Sequence, residues 1–170
     1  MLSVSVTRED RLIAGFASLA ILVHLIEAAF PSPLPGVKPG LANIITLIVF
    51  FRYGLRMAVW VSLLRVLVAS LLLGSFLSPT FALSLAGAVA VIGILSLISA
   101  FPSRFGLSPL GVAVLCALSH TSAQFLLAYW LLVPHPGLLG LYPIFMTFAL
   151  IFGFISGVIS QKVYRQLGAA

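Results

Sequence analysis

Long apolar runs, separated by prolines and basic residues, restrict what this chain can fold into. Six runs are present, over residues 12–30, 41–51, 55–76, 80–101, 107–133 and 142–164. A hydrocarbon core of about 30 Å is crossed by roughly 20 apolar residues in a helix. Only 7% of the 170 residues are charged, which is too few to cover a soluble domain. The sequence therefore predicts an all-α integral membrane bundle of six transmembrane helices, forming one domain over residues 1–170.

The basic residues are distributed as signals of membrane topology. One set of run ends carries seven of them: Arg8, Arg11, Arg52, Arg56, Arg104, Lys162 and Arg165. The other set carries only Lys38 and the weakly basic His135. Cytoplasmic loops retain positive charge, so both termini are predicted to be cytoplasmic. Although the net charge is +6, these residues are not clustered as a nucleic-acid surface would be, and no nucleic-acid partner is expected.

Five polar residues lie within the apolar runs at middle to outer depth. With a rise of about 1.5 Å per residue, Glu27 and His120 lie roughly 24 Å from the cytoplasmic side, and Arg65 about 13 Å. Gln124 follows His120 by one turn on the same helix face, and Asn43 begins the second run near its outer end. Ionisable groups inside a membrane are costly and usually face a cavity or a partner. The layer therefore predicts a polar pocket that opens to the outside.

A loop rich in proline and glycine, residues 31–40, follows the first run and carries Lys38. Its four prolines reduce the conformational freedom of the open loop, so holding it in one place costs less. We expect this loop to form a lid over the polar layer.

Simpler interpretations of these residues stay open. Glu27 and Arg65 could pair only to hold two helices together. His120 and Gln124 could form a hydrogen-bonded seam between helices, and Lys38 could be an anchor at the membrane interface.

Several kinds of chemistry are excluded by the residues present. The chain has no Walker A pattern, and its three histidines and one cysteine lack the spacing of a zinc site. His24 is interpreted as a packed or interfacial residue. Two of the three acidic residues are near the N-terminus, so no aspartate-rich cluster could hold the Mg²⁺ ions of prenyl diphosphate chemistry. We expect no catalytic residues, no metal and no cofactor, and therefore no enzyme activity in this chain alone.

Small residues recur four positions apart, a spacing that lets helices approach closely in lipid. These pairs are Ala14 and Ser18, Ala86 and Ala90, and Gly153 and Gly157. Packing within the chain is the simpler interpretation. Ala14, Ser18, Gly153 and Gly157 are also candidates for docking to a partner subunit.

Several short motifs resemble those of one bacterial membrane family. They are Glu27 with P-x-P-x-P-G-x-K over 31–38, GLANI at 40–44, LLRVL around Arg65, LSLAG at 83–87, SPLGV at 108–112 and SHTSAQ at 119–124. Over about residues 12–160 the chain resembles the Gx transporter family, also called heptaprenyl diphosphate synthase component I. That family is similar to the substrate-binding S components of energy-coupling-factor (ECF) transporters.

The resemblance implies a six-helix S component of the bacterial cytoplasmic membrane. Such a protein captures a micronutrient from outside beneath its first loop, then docks onto a transmembrane T subunit and two ATPases. The functional residues that it implies are Glu27, Lys38, Asn43, Arg65, His120 and Gln124. Two positions depart from the pattern: Pro39 stands where leucine is expected, and Thr121 stands where asparagine is common.

Three functions are therefore compatible with the sequence. The first is the substrate-binding component of an importer for a small, partly apolar and anionic ligand, such as a micronutrient or an isoprenoid or quinone precursor. The second is a non-catalytic membrane subunit for polyprenyl diphosphate synthesis. The third is a structural membrane protein whose polar layer only specifies packing.

Overall fold

The chain forms a helical bundle in a computed structural model that describes residues 6–29, 41–101 and 107–168. The helices in chain order are α1 (Arg8–Ala29), α2 (Ala42–Tyr53), α3 (Leu55–Leu72), α4 (Pro79–Ala100), α5 (Pro109–Leu131), α6 (Pro136–Leu139) and α7 (Tyr142–Gly168). Five of them are long and apolar enough to cross a membrane, and α2 is a shorter apolar helix. The described ranges contain no β-strand. The predicted all-α membrane bundle is confirmed.

The helices pack around two apolar clusters. Helix α3 lies between α1 and α4, α5 lies between α4 and α7, and α2 contacts α1, α3 and α7. One cluster joins α1, α2 and α3 through Ala20, Val49 and Val61, among others. The other joins α2, α4 and α5, and it contains Leu95 and the buried thiol of Cys116. Outward-facing side chains are largely apolar, as expected for a surface covered by lipid.

Helix α2 is short because it lies inside the bundle. Its 12 residues span about 18 Å, well below the roughly 30 Å of the hydrocarbon core. Seven of those residues are buried, including Thr46 and Leu47. Since neighbouring helices rather than lipid surround it, its length need not match the bilayer.

Local sequence signals explain where several helices begin and end. Helix α1 starts at Arg8, earlier than the predicted residue 12, because Thr7 and Asp10 cap each other's backbone N–H groups at 3.2 and 2.9 Å. The SPLGV motif supplies an N-cap for α5, since the hydroxyl of Ser108 accepts from the backbone N–H of Gly111 at 3.2 Å. Helix α3 ends at Leu72, before the predicted residue 76, because the chain turns at Gly74 with φ of +65°.

Most basic side chains of the described residues lie at one end of the bundle, which we call the basic end. It carries Arg8, Arg11, Arg52, Arg56, Lys162 and Arg165, where α1 begins, α2 meets α3, and α7 ends. Arg56 Nε lies 3.7 Å from an oxygen of Glu9, which joins the starts of α3 and α1. The end of α1, the connection from α3 to α4 and the end of α5 lie at the other end, which we call the opposite end.

Two glycines allow α7 to pack directly on α5. A Cβ atom at Gly153 would lie 2.8 Å from the Cβ of Ala117, and one at Gly157 would lie 2.9 Å from the Cα of Leu110. Both glycines are buried in this contact within the chain. A docking role therefore remains a proposal for the exposed Ala14 and Ser18 only.

We expect Gly153→Ala to destabilise the protein, because the added methyl group meets fixed atoms of α5. Overpacking of this kind costs about 1–3 kcal/mol. Gly15→Ala is the matched control, since nothing lies within 4 Å of a Cβ at that position. Thermal unfolding of both variants in detergent checks the expectation. Equal midpoints for the two would contradict the close α5–α7 contact.

Candidate functional site

A small cavity lies among helices α1 to α5, in the half of the bundle nearer the opposite end. Its volume is about 30 Å³. The residues that line it are His24, Glu27, Asn43, Arg65, Val66, Ser84, His120 and Gln124. Five of the six residues predicted to bind substrate thus meet at one place. The sixth, Lys38, lies outside the described residues, as does the predicted lid.

Glu27 caps the start of α2 from a neighbouring helix. One carboxylate oxygen accepts the backbone N–H of Leu41 at 2.6 Å, and the other accepts that of Ala42 at 3.5 Å. The first N–H groups of any helix lack partners within the helix, and at this depth lipid offers none. Glu27 is only 7% exposed. These N–H groups and the positive end of the α2 dipole stabilise its buried negative charge.

Arg65 places a cation beside this cap. It lies on α3 and is only 3% exposed. The negative charge of Glu27 acts on it favourably, which offsets part of the cost of burying a guanidinium. Its Nε atom is buried and has no hydrogen-bond partner within the described ranges. Arg65 can therefore donate a charge-assisted hydrogen bond to an anionic oxygen in the cavity.

Three further residues add polar groups to the same cavity. Asn43 is the second residue of α2 and is 8% exposed. Its Oδ1 atom and Nδ1 of His120 are buried, and neither has a hydrogen-bond partner among residues 6–29, 41–101 and 107–168. Gln124 lies one turn beyond His120 on α5. Buried polar atoms without partners are uncommon in proteins, so their presence around one cavity favours a polar guest.

The sequence interpretation missed part of the lining. His24 was interpreted as a packed or interfacial residue, yet it lines the cavity one turn before Glu27. Ser84 lies in the LSLAG motif, and it also lines the cavity although the sequence predicts no role for it. A usable signal existed for His24, because it precedes Glu27 by three residues on a helix. Serine is common inside helices, so the sequence alone does not identify Ser84 as a lining residue.

The cavity offers charge and hydrogen bonds to a guest molecule. Among the described residues, no group of three or more His, Cys, Asp and Glu side chains could hold a metal ion. The arrangement is suited to binding a small molecule. The lining supplies one buried cation, a carboxylate that already accepts backbone N–H groups, and amide and imidazole groups that can still form hydrogen bonds.

Comparison with known families gives one finding. The family model described as heptaprenyl diphosphate synthase component I matches residues 16–163. The matched region includes every lining residue of the cavity. No curated protein and no solved structure matches the chain.

We expect Glu27→Ala to destabilise the protein, because it removes the α2 cap and the negative charge that acts on the buried Arg65. Leaving a buried hydrogen-bonding group without its partner costs about 1–3 kcal/mol, and more where a charged group is involved. Glu9→Ala is the control, since Glu9 forms an exposed ion pair with Arg56, and such pairs are worth about 0–1 kcal/mol. Thermal unfolding and amide hydrogen exchange at the start of α2 provide the measurements. The cap assignment fails if the two variants unfold alike and α2 exchanges at the wild-type rate.

Proposed function

The chain belongs to the heptaprenyl diphosphate synthase component I family, and we propose that it is the substrate-binding membrane component of a small-molecule importer of the ECF S-component type. Its five long apolar helices and one short one make it a multi-pass membrane protein. The family description names one component of a multi-part enzyme, which is compatible with a subunit that works beside other proteins.

The observation that carries this proposal is the convergence of polar side chains on one cavity within an apolar bundle. Glu27, Asn43, Arg65 and His120 come from four different helices and meet there with Gln124. Burying so many polar groups at membrane depth is costly, and such residues usually mark a substrate or ion site. A purely structural role would favour hydrogen bonds that are satisfied internally, yet Asn43 Oδ1, Arg65 Nε and His120 Nδ1 have no partner within the part of the chain that the structure describes.

The lining favours an anionic ligand with an apolar body. Arg65 is the only Lys or Arg among the described lining residues, and Glu27 is already engaged by backbone N–H groups. A carboxylate or phosphate oxygen would accept a charge-assisted hydrogen bond from Arg65. Asn43, His120 and Gln124 would add directional hydrogen bonds, and the surrounding apolar helices would accept the rest of the ligand.

Ligand binding would require the cavity to widen. The present volume of about 30 Å³ holds one or two water molecules, whereas sites for small organic ligands enclose about 300–1,000 Å³. The loop over residues 31–40, with Lys38, would open to admit the ligand and then close as a lid. Its four prolines would lower the cost of ordering it.

Transport would need partners and a defined orientation. The chain contains no Walker A pattern, so a transmembrane T subunit and ATPases would supply the energy. We propose the bacterial cytoplasmic membrane as the location, with the basic end and both termini in the cytoplasm. The cavity would then open to the outside. Ala14 and Ser18, on the exposed face of α1, are the proposed docking residues.

A second function is favoured by the family description itself. The chain would then be a non-catalytic subunit for heptaprenyl diphosphate synthesis, holding a prenyl chain between helices with its diphosphate near Arg65. Prenyl diphosphate synthesis takes place in the cytoplasm, so this function requires the cavity to be reached from the cytoplasmic side. The position of the cavity near the end opposite the basic residues favours the importer instead.

We expect Arg65→Ala to weaken ligand binding at least about 30-fold, because loss of one partner of a buried charge pair costs 2 kcal/mol or more. The ligand is identified as the small molecule that co-purifies with the protein or that raises its unfolding temperature in a screen of carboxylates and phosphates. Arg56→Ala, on the same helix but exposed, should leave affinity unchanged. Unchanged affinity in folded Arg65→Ala would contradict the proposal.

Cysteine labelling tests the orientation and separates the two functions. Cys116 is the only cysteine and is buried, so single added cysteines report their own position. With a membrane-impermeant maleimide on intact cells, we expect Ser75→Cys, between α3 and α4, to be labelled. Gln166→Cys, near the end of α7, should be labelled only after the cells are opened. The reverse pattern would place the cavity on the cytoplasmic side and support the synthase subunit.

A further inference from the structure

The imidazole of His120 lies against the backbone of α4 at Gly87. A Cβ atom built on Gly87 would lie 2.9 Å from Nε2 of the ring, and closer still to Nδ1 and Cε1. Carbon atoms do not approach ring atoms this closely, so no other residue fits at this position unless the ring moves. Gly87 is buried, and it ends the LSLAG motif to which the sequence assigned no role.

This contact lies at the boundary between the polar cavity and the apolar core. Helices α4 and α5 run antiparallel, so Ser84 faces the level of Gln124 and Gly87 faces His120. Beyond His120, towards the basic end, the two helices continue into an apolar cluster that contains Val91 and Cys116. His120 therefore forms the deepest polar part of the wall between α4 and α5.

We propose that Gly87 is a positioning residue that sets the place of the His120 ring in the cavity wall, and so sets the depth and polar character of the site. The inference deepens the proposed function and rests on it for its role in ligand recognition. A side chain at position 87 displaces the ring towards the cavity, whose volume of about 30 Å³ leaves little spare room. The alternative is separation of α4 from α5.

The kind of atom that Gly87 meets distinguishes it from the other close glycines. At Gly153 and Gly157 an added Cβ would meet the Cα and Cβ atoms of α5. These atoms belong to the backbone or are fixed to it. At Gly87 the three nearest atoms all belong to one side chain, that of His120. Removing that side chain should therefore relieve a substitution at Gly87, and no such relief is available at Gly153.

The test is a double-mutant cycle with Gly87→Ala, His120→Ala and the double variant, all in the full chain purified in detergent. Gly93→Ala is the matched control, because Gly93 is on the same helix and has nothing within 4 Å of its Cβ position. We expect Gly87→Ala alone to lower the unfolding midpoint by roughly 2–12 °C. In the His120→Ala background the same substitution should cost nothing measurable, and Gly93→Ala should be neutral.

Chemical labelling reports the ring directly. Diethyl pyrocarbonate carbethoxylates accessible imidazoles, and peptide mass spectrometry assigns the modified histidine. We expect His120 to react several-fold faster in Gly87→Ala than in wild type or Gly93→Ala. The exposed His135 serves as the internal reference for reagent dose.

Two results would overturn the inference: an unchanged His120 reaction rate in folded Gly87→Ala, or the same loss of stability with and without the imidazole. If Gly87→Ala does not fold, the comparison of the double variant with His120→Ala decides, since failure of both Gly87→Ala proteins excludes His120 as the reason. Neither readout uses a ligand. Failure here therefore leaves the importer proposal standing, and failure of the Arg65 binding test leaves the positioning of His120 standing.

Discussion

The N–H groups at the start of α2, which have no partner within the helix itself, are the constraint on which the rest of this bundle depends. Lipid cannot accept the hydrogen bonds of these groups. Glu27 supplies the acceptors from α1, and its carboxylate lies 2.6 Å from the backbone nitrogen of Leu41. One of only three acidic residues in the chain is thus used to start a helix.

The same carboxylate makes a buried cation tolerable. Arg65 lies where the charge of Glu27 reaches it, yet the carboxylate is shared with two backbone N–H groups, so Arg65 keeps capacity for another acceptor. The imidazole of His120 lies against Gly87 in the wall of the same cavity. These groups lie on packed helices rather than on loops, and helices hold side chains in place more precisely than loops do.

Sequence reasoning predicted the helices and the polar layer for a simple reason. Apolar length and the depth of polar residues are properties of side chains, which the sequence displays directly. They put Glu27, Arg65 and His120 at middle to outer depth. The cap on α2 was not predictable in this way, since its donors are backbone groups fourteen and fifteen residues from Glu27. The role of Gly87 was not predictable for a related reason. Glycine has no side chain, so its role depends on the neighbouring atoms, which the sequence does not show.

The spacing of small residues predicted the structure less well than the polar layer did. It predicted close helix contacts, but a spacing of four does not say which helix is approached. Gly153 and Gly157 contact α5 within the chain, whereas Ala14 and Ser18 are exposed on α1. Identical patterns thus mark an internal contact in one helix and an open face in another. Only the arrangement of the helices distinguishes the two.

The brevity of α2 also constrains how the chain is made. A segment of 12 residues is too short for the bilayer to retain by hydrophobicity alone, so it cannot be a stable insertion intermediate during synthesis. The tight connection at Gly54, which has φ of +90°, couples it directly to α3. Biogenesis would therefore deliver α2 and α3 together as a hairpin, against an α1 that already presents its carboxylate. The order of assembly in the membrane would then follow from α2 being too short and too buried to be held by lipid alone.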